Sequence, residues 1–348
     1  VRLANAMSAK GLDVSLLVAT DHGRYWDQVA PSVSLVRLRA RRAVFCLIRL
    51  LSLIRSERPD VVLSTLKASN VLLVLLKPLI PRDIVVAIRE ASVYRRPRSI
   101  VDYFYVGLQR LFYRRADVFI VNSDGTLRSF ASSGIRLPTR VEKLFNPIYD
   151  ASIERFAAAP CNHPWVVNKE TKLIVAIGRL VPEKGFETLL EAVSLLISKG
   201  RDVRCVIIGE GPLRESLIAQ ATSLGIAGKV DFAGFLENPF SLLKHADVFV
   251  LSSHWEGFGN VIVEALALNV PVVATDCPGG PVEILEHGKW GVLVPVAESR
   301  SLASAIEGVL LVARRFDLKQ RALDFDVDRI ASEYLAVFAR SRLDKSSL

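Results

Sequence analysis

The sequence predicts an α/β protein built as two doubly wound, parallel-sheet domains in tandem. Three observations carry this. The chain has 348 residues, more than the roughly 100–200 of one ordinary domain. Apolar, β-rich runs alternate with segments of helical period along most of its length. Those runs are apolar on both faces, as strands are when helices cover a parallel sheet from either side.

The chain opens on an amphipathic helical pattern, VRLANAMSAK, ahead of its first strand, VSLLVAT (14–20). A helix with no strand before it leads us to expect that a first strand and its glycine loop are missing upstream. VSLVRL (33–38), DVVLST (60–65), DIVVAI (83–88) and DVFIVNS (117–123) follow as strands, and residues 1–148 form the first predicted domain. FNPIYDASIERFAAAPCNHPW (145–165) has poor periodicity and three prolines, so residues 149–167 are assigned to a linker. The second domain, 168–325, alternates more clearly, with strands at KLIVAIG (172–178), CVIIG (205–209), KVDFAGF (229–235), DVFVLSS (247–253), PVVATD (271–276) and GVLVP (291–295). Between the first two, Phe186, Leu189, Leu190, Val193 and Leu196 keep helical spacing up to Gly200. In the last stretch, 326–348, Ile330, Tyr334, Val337 and Phe338 predict a terminal helix that packs back on the protein. Two such domains leave a cleft at the carboxyl ends of their sheets, where ligands bind.

Charge divides the chain unevenly. Residues 1–150 hold 24 Lys and Arg against 12 Asp and Glu, a net of +12, and the remainder holds 21 against 24, a net of −3. Basic residues are interleaved with apolar ones in RRAVFCLIRLLSLIR (41–55) and YRRPRSIVDYFYVGLQRLFYRR (94–115). That mixture suits an anionic membrane surface; it suits equally a helix with one buried and one solvated face. No apolar run reaches the roughly 20 residues of a membrane span, and no secretory signal is visible. Cys46, Cys161, Cys205 and Cys277 are far apart, which reads as reduced cytosolic thiols with no metal site. Nothing resembles a nucleic-acid recognition motif.

The chemistry concentrates after two strands. EGFGNVIVE (256–264) follows DVFVLSS and starts a helix, with Asn260 as its expected N-cap. Its glycines let backbone N–H groups approach a ligand, so the segment reads as an anion site at a helix N-terminus. A carboxylate beside a phosphate is unfavourable, so Glu256 and Glu264 are expected to accept hydrogen bonds from hydroxyls on either side of the anion. GRLVPEKG (178–185) supplies Arg179 and Lys184 after another strand, and the two segments together suit a diphosphate. Taken singly, these residues also read as a solvated helical acid, a loop acid and an exposed lysine.

GRLVPEKG, GEGPLRESL (209–217), VDFAGFLENP (230–239), EGFGNVIVEALALNVPVVATDCPGGPVEIL (256–285) and GVLVP together resemble the retaining GT-B glycosyltransferases of family 4. Among these they look most like bacterial enzymes that add hexose or N-acetylhexosamine to lipopolysaccharide core, O-antigen or other cell-surface glycans. The resemblance spans residues 168–340 and reaches the first half only through FNPI (145–148) and the opening helix. It implies a GT-B fold, two Rossmann-like domains facing a cleft. It also implies transfer from a nucleotide-sugar, UDP-linked in our reading, to a lipid-linked or lipopolysaccharide-type acceptor at the inner face of the cytoplasmic membrane. No metal or cofactor is expected beside the donor.

By the same resemblance Arg179 and Lys184, after Gly178, clamp the donor diphosphate, and the amides of Gly257, Phe258 and Gly259, next to Asn260, touch its phosphates. Glu264 holds the ribose hydroxyls, Glu256 contacts the transferred sugar, and Phe235 and Leu236 lie near the base. Glu256, Arg179 and Lys184 carry catalysis, chiefly by stabilising charge on the departing diphosphate. Many relatives carry a histidine in the first domain, sought here at Ala91, and Arg89 and Glu90 stand beside it as acceptor or sugar contacts. That departure and the expected upstream loss leave a rival reading: a catalytically impaired nucleotide-sugar-binding or partner protein. DFDVD (324–328) reads as a helix cap rather than a metal motif. GEGP lacks the third glycine of a dinucleotide fingerprint, having Arg214 there. His254 and His287 read as loop residues.

Overall fold

The computed structural model describes residues 1–18, 26–38, 43–97, 99–312 and 317–346. Ala19 and Thr20 of the first predicted strand, Arg41, Arg42 and Arg98 of the two basic stretches, the side chain of Cys46 and the last two residues of the predicted terminal helix lie outside the described residues. Contacts divide the chain into two compact units, 1–147 with 326–348, and 148–325. Residues 149–167, read above as a linker, fall with the second unit: they form the short helices Ser152–Ala157 and Pro164–Val167, and Ile153 and Ala157 are buried.

The first unit holds six strands among the described residues: β1 (Val14–Val18), β2 (Val33–Arg37), β3 (Val61–Ser64), β4 (Val85–Glu90), β5 (Val118–Val121) and β6 (Val141–Lys143). β1 and β2 pair in parallel, and β3-β4-β5-β6 form a second parallel sheet in that order. The side-chain period of two sorts β4 and β5 between two cores. Val86, Ile88, Phe119 and Val121 meet the helix Lys67–Leu76 on one face. Val85, Ala87, Val118 and Ile120 meet Ala6 and Met7 of the opening helix and Ile330, Tyr334 and Val337 of the terminal helix on the other. The terminal helix, Val327–Ser346, thus belongs to the first unit although the chain reaches it through the second.

The second unit continues with β7 (Lys172–Ile177), β8 (Val203–Ile208), β9 (Val230–Gly234), β10 (Val248–Leu251), β11 (Val272–Thr275) and β12 (Val292–Val294). All six predicted strands are present, in one parallel sheet of order β12-β11-β10-β7-β8-β9. The helix Phe186–Ser198 buries Phe186, Leu189, Leu190, Val193 and Leu196 against it. The chain builds outward from β7 through β8 to β9, then returns to place β10 on the other side of β7. Strand order therefore reverses between β7 and β10, and a doubly wound sheet opens its ligand crevice at such a reversal.

The two units repeat one device. β5 and β10 each follow an aspartate in the sequence Asp-Val-Phe, and that aspartate ties down the neighbouring strand. Asp117 accepts from Val86 N at 2.7 Å and pairs with Lys77 and Lys345. Asp247 accepts from Leu173 N at 2.9 Å and pairs with Lys169 and Lys172 at 2.9 and 3.1 Å. Burial opposes its charge, but the Leu173 amide and the two ammonium groups hold the Asp247 carboxyl below its ordinary range.

Candidate functional site

The loops after β7 and β10 meet at the reversal. After β7, Pro182–Lys184 form a single 3₁₀ turn closed by Gly185 in the left-handed region, φ 57°. Any side chain there would be strained, and a Cβ would stand 2.3 Å from the Ser252 carbonyl. Ser252 Oγ donates to the Lys184 carbonyl at 2.9 Å, and His254 N donates to the Glu183 carbonyl at 2.8 Å. The two loops are thus stitched together through their main chains.

At this seam the structure brings two predicted site residues into contact. Lys184 Nζ lies 2.5 Å from Glu256 Oε1, with the side chains 19% and 9% exposed. Ser253 Oγ donates to the same oxygen at 2.6 Å. Ser253 was missed in the sequence, because a serine closing a strand has no spacing signal of its own. Arg179 behaves differently: its side chain is 76% exposed and only grazes Glu183 at 3.8 Å. The two cations are therefore unequal, Lys184 fixed within the protein and Arg179 turned to solvent.

Glu256 is held from behind by the loop after β11. Its N–H donates to the Pro278 carbonyl at 2.9 Å. Gly279 sits at φ 133°, and a Cβ there would lie 2.2 Å from the Glu256 carbonyl oxygen, closer than any side chain tolerates. Thr275 Oγ1 donates to the Ser253 carbonyl at 2.5 Å. Cys277 is buried here; burial, reinforced by the Glu256 charge, pushes its thiol up to about 12, so it is no nucleophile.

The helix that follows is Asn260–Ala267, and its cap corrects the sequence reading. Gly259, at φ 96°, occupies the N-cap position and Asn260 is the first helical residue. The left-handed turn at Gly259 is what ends the loop, one residue earlier than the sequence reading placed the cap. Phe258 is buried and its ring packs edge-on to Phe325 at 5.7 Å. Gly257 and Glu264 are half-buried. After β9, Phe235 is 54% exposed with Leu236 half-buried behind it.

The motif GEGP also finds its place. Leu180 N donates to the Glu210 carbonyl and Leu213 N to the Leu180 carbonyl, at 2.9 and 3.0 Å, so this turn braces the loop carrying Arg179. Asp326 Oδ1 accepts from the amides of Asp328 and Arg329 at 2.9 and 3.0 Å, which is helix capping as read above. Among the described residues no group of three His, Cys, Asp or Glu is arranged to hold a metal.

In the first unit, Glu90 ends β4 in a buried polar cluster. Tyr113 OH donates to Glu90 Oε1 at 2.5 Å, Asn70 Nδ2 donates to the same oxygen at 3.1 Å, and Gln109 Nε2 donates to Tyr113 OH at 2.9 Å. Burial raises the Glu90 carboxyl above its usual range, against these hydrogen bonds and the charges of Lys67 and Arg89. Arg89 donates to Asn146 of the FNPI segment. Ala91, where a histidine was sought, offers its carbonyl to Asn122 Nδ2 at 3.0 Å.

Comparison with known proteins adds to this geometry. A family model described as "Glycosyl transferases group 1" matches residues 163–322, and one described as "Glycosyl transferase 4-like domain" matches residues 1–142. The chain is 26% identical over 321 residues to "Lipopolysaccharide core biosynthesis glycosyltransferase LpsE" of Rhizobium meliloti, covering 89% of this chain and 84% of that one. It is 31% identical over 242 residues to "N-acetylgalactosamine-N,N'-diacetylbacillosaminyl-diphospho-undecaprenol 4-alpha-N-acetylgalactosaminyltransferase" of Campylobacter jejuni, covering 68% and 63%. Among solved structures, Anabaena Alr3699/HepE in complex with UDP superposes with a TM-score of 0.76 at 20% identity, covering 97% of this chain and 96% of that one. A likeness at that identity is one of fold.

Proposed function

The chain is a glycosyltransferase of GT-B fold whose residues 163–322 belong to the glycosyl transferases group 1, and from that premise we propose that it moves a hexose or N-acetylhexosamine from UDP to a lipid-linked or lipopolysaccharide-type glycan, with retention at the anomeric carbon. The acceptor lies at the inner face of the cytoplasmic membrane. The observation that carries this reading is the Lys184–Glu256 pair, held at the strand-order reversal beside the start of the helix Asn260–Ala267. The named substrate of the Campylobacter relative, the lipopolysaccharide-core name of the Rhizobium relative and the UDP bound by the Anabaena structure support the choice of donor and acceptor class.

In this reading the donor diphosphate enters over the loop Gly257–Gly259, beside a helix N-terminus whose dipole favours an anion. Lys184 faces it with its ammonium already desolvated and oriented by Glu256, so little reorganisation remains when charge develops on the leaving phosphate. Arg179 closes on the diphosphate from solvent. Glu256 accepts from a hydroxyl of the transferred sugar, Glu264 accepts from the ribose, and Phe235 and Leu236 flank the base. With no metal invoked, these cations and amides supply the leaving-group stabilisation, and the departing phosphate oxygen takes the acceptor's proton.

Calorimetric titration with UDP and GDP tests it directly. UDP is expected to bind at least tenfold more tightly than GDP, and Lys184→Ala to weaken UDP by a similar factor. Equal binding of the two nucleotides, or wild-type affinity in Lys184→Ala, would remove the assigned site. The anomeric configuration of the product, read by proton NMR, separately tests retention.

A further inference from the structure

The helix Ile100–Phe112 is apolar on both of its faces. Its inner face buries Val106 and Gln109, packs Tyr105, Leu108 and Phe112 on the core of the first unit, and continues into buried Tyr113. Its outer face presents Ile100, Tyr103, Phe104 and Leu111, which are 88%, 66%, 64% and 61% exposed, with Val101 at its edge. Ile100, Phe104 and Leu111, with Gly107 between, fall at spacings of three and four and so form one stripe. Leu66, 69% exposed, caps the neighbouring helix, whose Lys67 pairs with Asp102 at 3.6 Å. An ordinary surface helix turns polar residues away from its core, and an exposed apolar patch of this kind marks a surface that something covers.

Charge identifies what covers it. Arg95 and Arg96 precede the helix, Arg110 lies beside the stripe and Arg114 and Arg115 follow it, all exposed. Arg115 stacks its guanidinium on Phe112 at 4.4 Å, which keeps a cation at the end of the apolar face. A second copy of this chain docked on the same patch would set one arginine rim against another, which like-charge repulsion opposes. A bilayer with anionic headgroups satisfies both features at once: the aliphatic and aromatic side chains enter the acyl boundary while the arginines meet phosphate. We infer that the outer face of Ile100–Phe112 is the surface by which this enzyme docks on an anionic phospholipid bilayer. The inference deepens the proposed function, from which it takes only that the acceptor is lipid-linked.

The test is co-sedimentation of the full chain with vesicles of phosphatidylglycerol and phosphatidylethanolamine, or of phosphatidylcholine alone. Wild type is expected to bind the anionic vesicles at least tenfold more tightly. The double variant Phe104→Ser/Leu111→Ser, altered only at exposed positions, is expected to lose at least tenfold in that binding while keeping its thermal melting and its UDP affinity. Wild-type vesicle binding in the double variant would overturn the assignment, as would failure of the wild type to bind anionic vesicles. Sedimentation velocity showing a dimer that the double variant loses, without vesicle binding, would make the face a protein interface instead. Failure of the wild type to bind UDP would count against the donor reading alone, since vesicle binding is measured without nucleotide.

Discussion

Lys184 and Glu256 stand 72 positions apart in the chain and 2.5 Å apart in space. Each was legible alone, as a cation after one strand and an acid after another, but their contact follows from the order of strands, which no local pattern encodes. The same limit explains Asn260. Asparagine before a helix is a good cap on average, and only the backbone at Gly259 shows that the cap position was already taken. Glu90 gives the residue-scale prediction. Because burial raises its folded value, the folded state holds its proton to higher pH than the unfolded chain, which releases it above about pH 4.3. Glu90 therefore costs stability as pH rises past that point and costs nothing below it. Glu90→Gln keeps an acceptor for Tyr113 OH and removes the titration. It is expected to stabilise the first unit by on the order of 1 kcal/mol at pH 8, the usual size for one such change, and by nothing near pH 4. Urea unfolding at the two pH values checks this; an equal gain at both would mean that packing, not charge, is the cause.

At the scale of elements, the parallel strands were readable because burial on both faces removes polar residues from them. The exception is β6, Val141–Lys143, only half-buried and carrying Glu142 and Lys143; an edge strand of three residues has too little apolar pattern to be seen. The terminal helix was readable as a helix, yet its partner was not, since helical spacing names a buried face without naming what buries it. That partner yields a prediction. Ile330, Tyr334 and Val337 are at most 1% exposed against β4 and β5, and fully burying a large apolar side chain is worth roughly 1.5–3 kcal/mol. Summed over the helix, this approaches the roughly 5–15 kcal/mol that holds a whole domain. Ending the chain at Phe325 is therefore expected to strip hydrogen-exchange protection from β4 and β5 while β7, β8 and β10 keep theirs. Loss confined to the second unit would show that the helix had been placed on the wrong partner.

For the molecule as a whole, charge is the property the sequence reported most directly and the fold put to use least visibly. The +12 of residues 1–150 and the −3 of the rest were plain from composition, whereas the apolar stripe among the arginines appeared only when Ile100–Phe112 was seen to hold a second apolar face away from its core. The two proposed ligands should then respond differently to salt. A nucleotide diphosphate meets one half-buried lysine, one exposed arginine and fixed backbone amides, contacts short enough to escape most screening. A bilayer meets many exposed arginines at longer range. Raising ionic strength from about 0.01 M to about 0.15 M shortens the screening length from about 30 Å to about 8 Å. Over that interval, affinity for anionic vesicles is expected to fall roughly tenfold or more, toward a residue of binding left by the apolar stripe, while UDP affinity changes less than about threefold. Parallel salt curves for the two ligands would mean that both depend on the same diffuse positive field, and the division between a built nucleotide site and a charged docking face would fail.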